Sequence, residues 1–217
     1  MEASVSKTAL LITYRTKPGQ RDALHRAFDA HVKEPVAANP KVKCFVKCND
    51  DADPNAVHLF ELCSDRAALD EVGGATWLAD YNAALEPVLA GPPELAFTSP
   101  IWSKETDPTA IDETSEPPPM GLFVQYRTTD GGRDAIHAAW EERVKWHIEA
   151  ADAVRFFYML AGEEPDLLCL FELYQDRTVL EVSGATDWFQ AYRELIEPNI
   201  TQRTVYRGTP VWIKGAK

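Results

Sequence analysis

The feature that most restricts the fold is an internal repeat. Leu59-Phe60-Glu61-Leu62 is followed by Ser64-Asp65-Arg66, the run Glu71 to Thr76 (EVGGAT), Trp77 and Tyr81. In the second half, Leu170-Phe171-Glu172-Leu173 is followed by Gln175-Asp176-Arg177, Glu181 to Thr186 (EVSGAT), Trp188 and Tyr192. The echo reaches upstream, where Tyr14-Arg15-Thr16 returns as Tyr126-Arg127-Thr128 and the run from Gly19 to His25 returns as Gly131 to His137. It also reaches downstream, from Ile101-Trp102 to Val211-Trp212. A likeness running from the first element to the last is a duplicated domain, not a shared motif.

Each copy reads as β-α-β-β-α-β. In the first, Thr8 to Thr16 is an apolar, β-branched strand, and Lys17 to Gln20 is a turn. Arg21 to Ala38 is a helix whose apolar face carries Leu24, Ala27, Phe28 and Val32, with Pro35 loosening its last turn. Lys41 to Cys48 and Val57 to Cys63 are strands around the turn-rich loop Asn49 to Asn55. Asp65 to Ala90 is helical with an interruption near Gly73-Gly74, and Leu95 to Trp102 is the last strand. In the second copy the strands are Leu122 to Thr128, Val154 to Leu160, Leu167 to Tyr174 and Thr204 to Ile213. Its first helix presents Ile136, Ala139, Trp140 and Val144, and its second runs from Asp187 to Ile200. The expected fold class is α+β: two ferredoxin-like domains, residues 8–103 and 120–214, joined by an acidic, proline-rich linker at 104–119.

The third strands fix how the copies meet. A ferredoxin-like sheet carries helices on one face, and a solvated opposite face demands alternating polar residues. Leu167 to Phe171 and Val57 to Phe60 are instead apolar at nearly every position. Both faces are therefore covered, and the natural cover is the other copy, sheet against sheet, as an internal pseudo-dimer.

The net charge of -12 and pI near 4.9 argue against nucleic-acid and anionic-membrane partners. Cys44, Cys48, Cys63 and Cys169 form no CxxC and do not repeat between copies, so they read as reduced core residues of a cytoplasmic protein. The first residues lack a signal peptide's pattern, and no apolar run approaches a spanning length. No recurrent His/carboxylate cluster suggests a metal, and no glycine-rich loop suggests a nucleotide cofactor.

With Tyr14 to Gly19, Arg21-Asp22 and Phe60-Glu61-Leu62…Asp65-Arg66-Ala67-Ala68-Leu69 leading to Trp77 and Tyr81, the chain resembles the antibiotic biosynthesis monooxygenase domain of the dimeric α/β-barrel superfamily. The second copy carries the likeness at Tyr126 to Asp134 and Phe171-Glu172-Leu173…Asp176-Arg177…Leu180, leading to Trp188 and Tyr192. The resemblance implies two fused domains forming an intramolecular barrel. It implies cofactor-independent oxidation of a small aromatic, phenolic or quinol-like substrate with O₂. Haem-degrading members carry an Asn on the first strand; Leu10 to Thr13 and Leu122 to Gln125 have none, so that branch is not expected. A His common after the third strand is also absent, replaced by Val72-Gly73-Gly74 and Val182-Ser183-Gly184.

Within this expectation Glu172, His137 and Tyr192 are the candidate catalytic residues. Trp188, Tyr126, Tyr158, Tyr174, Trp77, Tyr81 and Glu61 are the candidate substrate contacts. A desolvated Glu is a competent base toward a phenol, and a Trp and Tyr four apart share a helix face that can hold a ring. Each has a structural counter-reading. Glu61 and Glu172 can be ion-paired to Arg15 and Arg127, the Trp/Tyr pairs can be core, and His25 and His137 lie at the edge of the apolar stripe. His58 reads as a hydrogen-bonded core histidine. Tyr174 for Cys63, and Phe156 and Tyr158 for Cys44 and Val46, make the second copy the more aromatic and the favoured active half. Two alternatives stay open: a non-oxidative binding protein or isomerase/cyclase on the same scaffold, and a duplicate with collapsed pockets. Further self-association of the chain is also left open.

Overall fold

The structure, a computed structural model, describes residues 6–216. The first half comprises β1 (Thr8–Arg15), α1 (Arg21–His31), α2 (Lys33–Ala38), β2 (Val42–Asp50), β3 (Ala56–Cys63), α3 (Arg66–Gly73), α4 (Thr76–Leu85) and β4 (Glu94–Glu105). The second comprises β5 (Met120–Thr128), α5 (Gly132–Arg143), α6 (Lys145–Ala150), β6 (Val154–Gly162), β7 (Leu167–Tyr174), α7 (Arg177–Gly184), α8 (Asp187–Ile196) and β8 (Ile200–Ile213). Short 3₁₀ turns lie at Pro108–Ala110 and Glu197–Asn199.

The strands close into one antiparallel barrel in the order β1-β3-β2-β8-β5-β7-β6-β4. The pseudo-dimer expected from the doubly apolar third strands is present. What the sequence did not disclose is how the halves are sewn together. The start of β4 pairs with β1, and its end pairs with β6 of the other half. Likewise β8 pairs with β5 over its first part and with β2 over its last. Both strands are therefore longer than expected. At the β8 crossover a Cβ on Gly208 would stand 2.6 Å from the Asn49 carbonyl oxygen, so only glycine lets the strands approach there.

Alternation along each strand sorts the side chains. Leu10, Ile12 and Tyr14 join the helix-side core of the first half, while Ala9 and Leu11 point into the barrel. Inside the barrel the repeat-related Phe60 and Phe171 stack at 4.2 Å. The linker region contributes Ile111 to the same interior, and Glu113 Oε2 accepts the Ile213 N–H at 2.8 Å. Each half's last strand delivers a Trp to the opposite helix-side core: Trp212 packs on Phe28 and Phe45, and Trp102 on Trp140 and Phe157. Reciprocal ion pairs, Arg66 with Glu163 and Arg177 with Asp51, tie the halves at the surface.

The repeated Asp-Arg marks a helix start. Asp65 accepts the Ala68 N–H at 2.7 Å and Asp176 the Val179 N–H at 3.0 Å, each capping its helix. The first long helix breaks at Val32, ahead of Pro35. The second copy breaks at the matching Val144 with no proline nearby, so proline is not the cause. Both valines are buried where the helices break, with φ stretched to -106° and -120°, and Pro35 sits in the first turn of α2, where its missing N–H is tolerated.

Candidate functional site

A cavity of about 710 Å³ lies between the sheet and the helices of the second half. That is within the usual range for small-molecule sites. Its floor is Leu122, Val124 and Tyr126 from β5 and Leu170, Glu172 and Tyr174 from β7. Trp140 of α5 closes one side, and Trp188, Phe189 and Tyr192 of α8 close the other. Helix α7 and the outer face of β8 form the rim.

Glu172 is the only acid on the floor. It is 5% exposed, and burial raises its pKa to about 7. Tyr174, two residues on and hence on the same strand face, donates its hydroxyl hydrogen bond to Glu172 Oε2. The expected ion pair is overturned. The β5–β7 register sets Glu172 against Leu122 and Arg127 against Leu167, and Arg127 turns outward to Glu164 and Asp166. The first half repeats this correction. Glu61 faces Leu10, Arg15 pairs with Asp53 and Glu94, and the Glu61 neighbour is the Cys63 thiol at 3.7 Å. Burial raises the Glu61 pKa to about 7 as well. Neither carboxyl has an ion pair among the described residues, so both are desolvated acids rather than structural salt bridges.

Glu172, Tyr192, Trp188, Tyr126 and Tyr174 are thus brought to one cavity. His137 is not. It lies on α5 beside Glu141, at 3.7 Å, and does not line the cavity. Tyr158 is also placed elsewhere: alternation along β6 turns Phe157 and Met159 to the helix side and sends Tyr158 into the barrel, 4.8 Å from Phe60. Trp188 does not stand free on both faces, because His147 stacks on it at 4.4 Å. Trp77, Tyr81 and Glu61 occupy the matching positions of the first half, where Tyr81 and Glu61 are buried and Trp77 packs against the helix-side core. His58 is held between Thr13 Oγ1 at 3.0 Å and Asp50 Oδ2 at 2.8 Å, a hydrogen-bonded core histidine as expected.

The site includes residues that the sequence did not single out. Trp140, expected in the core, borders the cavity, and its buried Nε1–H has no partner among the described residues. Arg193, Arg203 and Arg207 also line it. Burial pushes the Tyr126 hydroxyl up to about 12 despite the nearby Arg203, and raises Tyr192 further, so both hydroxyls are donors at neutral pH. All four cysteines are free and buried, and no cluster of three metal-binding side chains occurs among the described residues. No helix among them is long and apolar enough to cross a membrane.

No known family profile matches the sequence, and no curated protein matches it. Solved structures do. A putative monooxygenase from Fusobacterium nucleatum superposes with a TM-score of 0.85 at 13% identity, over 98% of this chain and 95% of that one. A putative monooxygenase from Lactobacillus acidophilus gives 0.77 at 10% identity, over 97% of each. An anthrone oxidase-like protein gives 0.65 at 10%, over 98% and 93%. At such identities the likeness defines the fold. The chain is a tandem dimeric α/β barrel, and the resemblance read from its repeats holds at that level.

Proposed function

We propose that the second-half cavity houses a cofactor-independent monooxygenase acting on a small aromatic, phenolic or quinol-like substrate. The observation that carries this reading is Glu172: a carboxyl with a pKa near 7, with no ion pair among the described residues, on the floor of an aromatic cavity. Such a group is partly ionised at neutral pH and basic enough to take a phenolic or ring-activated C–H proton. Tyr174 orients it. The unpartnered Trp140 N–H and the hydroxyls of Tyr126 and Tyr192 can donate to the substrate oxygen as negative charge develops on it. The substrate anion then passes an electron to O₂, and the two radicals combine as a peroxide. For a ring methylene the balance is R₂CH₂ + O₂ → R₂C=O + H₂O: one oxygen enters the product, the other leaves as water, and no outside reductant is needed. The neighbours described as putative monooxygenases and an anthrone oxidase-like protein support the direction of this reading.

The test is oxygen uptake with a panel of anthrones and quinols, with ¹⁸O₂ label followed into product. Uptake with one labelled oxygen per product is expected. The Glu172–Tyr174 pair also suits proton shuttling without O₂, as in an isomerase or cyclase. Conversion under argon, or with no label, would establish that second reading instead.

A further inference from the structure

We propose that the molecule bound in this cavity carries an oxyanion, such as a carboxylate, held by an arginine rim. The proposal rests on reading the cavity as a ligand site. Arg193 on α8 and Arg203 and Arg207 on β8 all line it. Arg193 and Arg207 make no ion pair among the described residues. Arg203 bonds Glu197 through Nη2 and lies over the Tyr126 ring, and its Nε–H is buried with no hydrogen-bond partner among the described residues. A fourth arginine, Arg177, is engaged by Asp51, and Glu181 is the one acid of the rim. Arg193 and Arg207 are exposed and Arg203 is half-buried, so the rim presents its guanidinium groups at the cavity mouth, where a ligand can reach them. Planar, forked donors of this kind suit a carboxylate or its analogues.

The other half supplies the control. The registers β1–β4 and β5–β8 place Phe97 where Arg207 stands, opposite Leu10 and Leu122. One residue after the repeated tyrosines of α4 and α8, Asn82 stands for Arg193. Extending the β1–β4 register puts Pro93 in the place of Arg203. The rim is therefore not part of the duplicated scaffold; it belongs to the cavity. Glu172, Leu122 and Arg207 lie in one row across β7, β5 and β8, so base and anion site are two strands, roughly 10 Å, apart. That separation suits a fused-ring substrate with its reacting ring over Glu172 and its acidic group at the rim.

The test compares two fluorescent probes that differ in one group, 8-anilinonaphthalene-1-sulfonate and neutral N-phenyl-1-naphthylamine. Wild-type protein is expected to bind the sulfonate at least about tenfold more tightly, the worth of one charge-assisted hydrogen bond. Arg193→Gln/Arg207→Gln should bring that ratio near one and leave the neutral probe's affinity unchanged. A wild-type ratio near one, an equal loss for both probes, or no binding of either overturns the proposal. No turnover is involved, so an anion preference without oxygen uptake sinks only the oxygenase reading. Oxygen uptake with a ratio near one sinks only this one.

Discussion

The two halves share every strand and helix and differ in how one short helix meets the sheet. In the first half α3 presses Ala68, Leu69 and Val72 into the core, all at most 6% exposed. In the second, α7 buries none of its residues, and Val182 is 62% exposed. Part of the difference is a compensated shift in the repeat. Asp70 has no counterpart between Leu180 and Glu181, and Asp187 is extra between Thr186 and Trp188. Losing one residue from a helix turns every later side chain by about 100° around the axis. The valine of EVSGAT is thrown to solvent, and Ser183 and Gly184 border the cavity instead. The offset thus brings Ser183 and Gly184, not a branched apolar side chain, to the cavity beneath α7, while Tyr174 for Cys63 gives its buried acid an orienting hydroxyl. The first half keeps the buried Glu but fills the surroundings: Lys47 Nζ lies 3.9 Å over the Phe28 ring, where the second half has Met159 and Trp140.

The largest effect should come from setting Glu172→Gln against Glu61→Gln. Gln cannot accept the proton, so Glu172→Gln should lower kcat by about 10²- to 10⁴-fold, the range for losing a general base. The remaining rate should lose the acidic limb near pH 7. Glu61→Gln, distant from the cavity, should change kcat less than about twofold by the same measure. Equal losses from both would mean that the halves work together and that the comparison is wrong.

For stability the same pair should behave alike. Both carboxyls are raised from 4.5 to about 7 by burial. Below pH 4.5 folded and unfolded states are both protonated, and neither group affects stability. Between 4.5 and 7 the unfolded chain releases protons that the folded one retains, so stability falls as pH rises. Above about 7 the deficit is constant, on the order of 3 kcal/mol per group. Either Gln variant should therefore match wild type in urea melts at pH 4 and exceed it at pH 8. A variant no more stable at pH 8 would show that the carboxylate finds solvation when ionised.

How much of this was readable from residues alone depends on range. The duplication and the doubly covered sheet are written in runs of residues, and each predicted its element. Strand exchange was hidden because β4–β6 and β2–β8 pairing leaves no mark on either strand. The Glu61–Arg15 and Glu172–Arg127 pairings failed for the same reason: ladder register sets them five residue pairs apart. Tyr158 was misplaced because alternation shows that Tyr158 and Phe157 face opposite ways but not which faces the helices. Arg193, Arg203 and Arg207 are scattered in sequence and meet only in the fold. The offset between EVGGAT and EVSGAT is legible in the spacing from Leu69 and Leu180 to each motif.

Ser183→Val tests that offset directly. It restores a branched side chain where Val72 packs in the first half, against the space now open beneath α7. Loss of about tenfold in affinity for an aromatic ligand is expected, roughly the effect of blocking a contact worth 1.4 kcal/mol. Thermal stability should rise slightly from the added apolar burial. Unchanged affinity would place the ligand away from α7.

The smallest effect separates the two caps. Asp65→Ala and Asp176→Ala each remove one side-chain bond to a helix N–H, typically about 1 kcal/mol. That loss should appear as global destabilisation only for Asp65→Ala, because α3 is held to the core by three buried residues and cannot fray alone. Held only by the half-buried Val179 and Leu180, α7 should open locally. Asp176→Ala should then speed amide exchange from Val179 to Gly184 with little change in melting temperature. Uniform destabilisation by both variants would show that α7 is as firmly seated as α3, and that the cavity beneath it is rigid rather than gated by this helix.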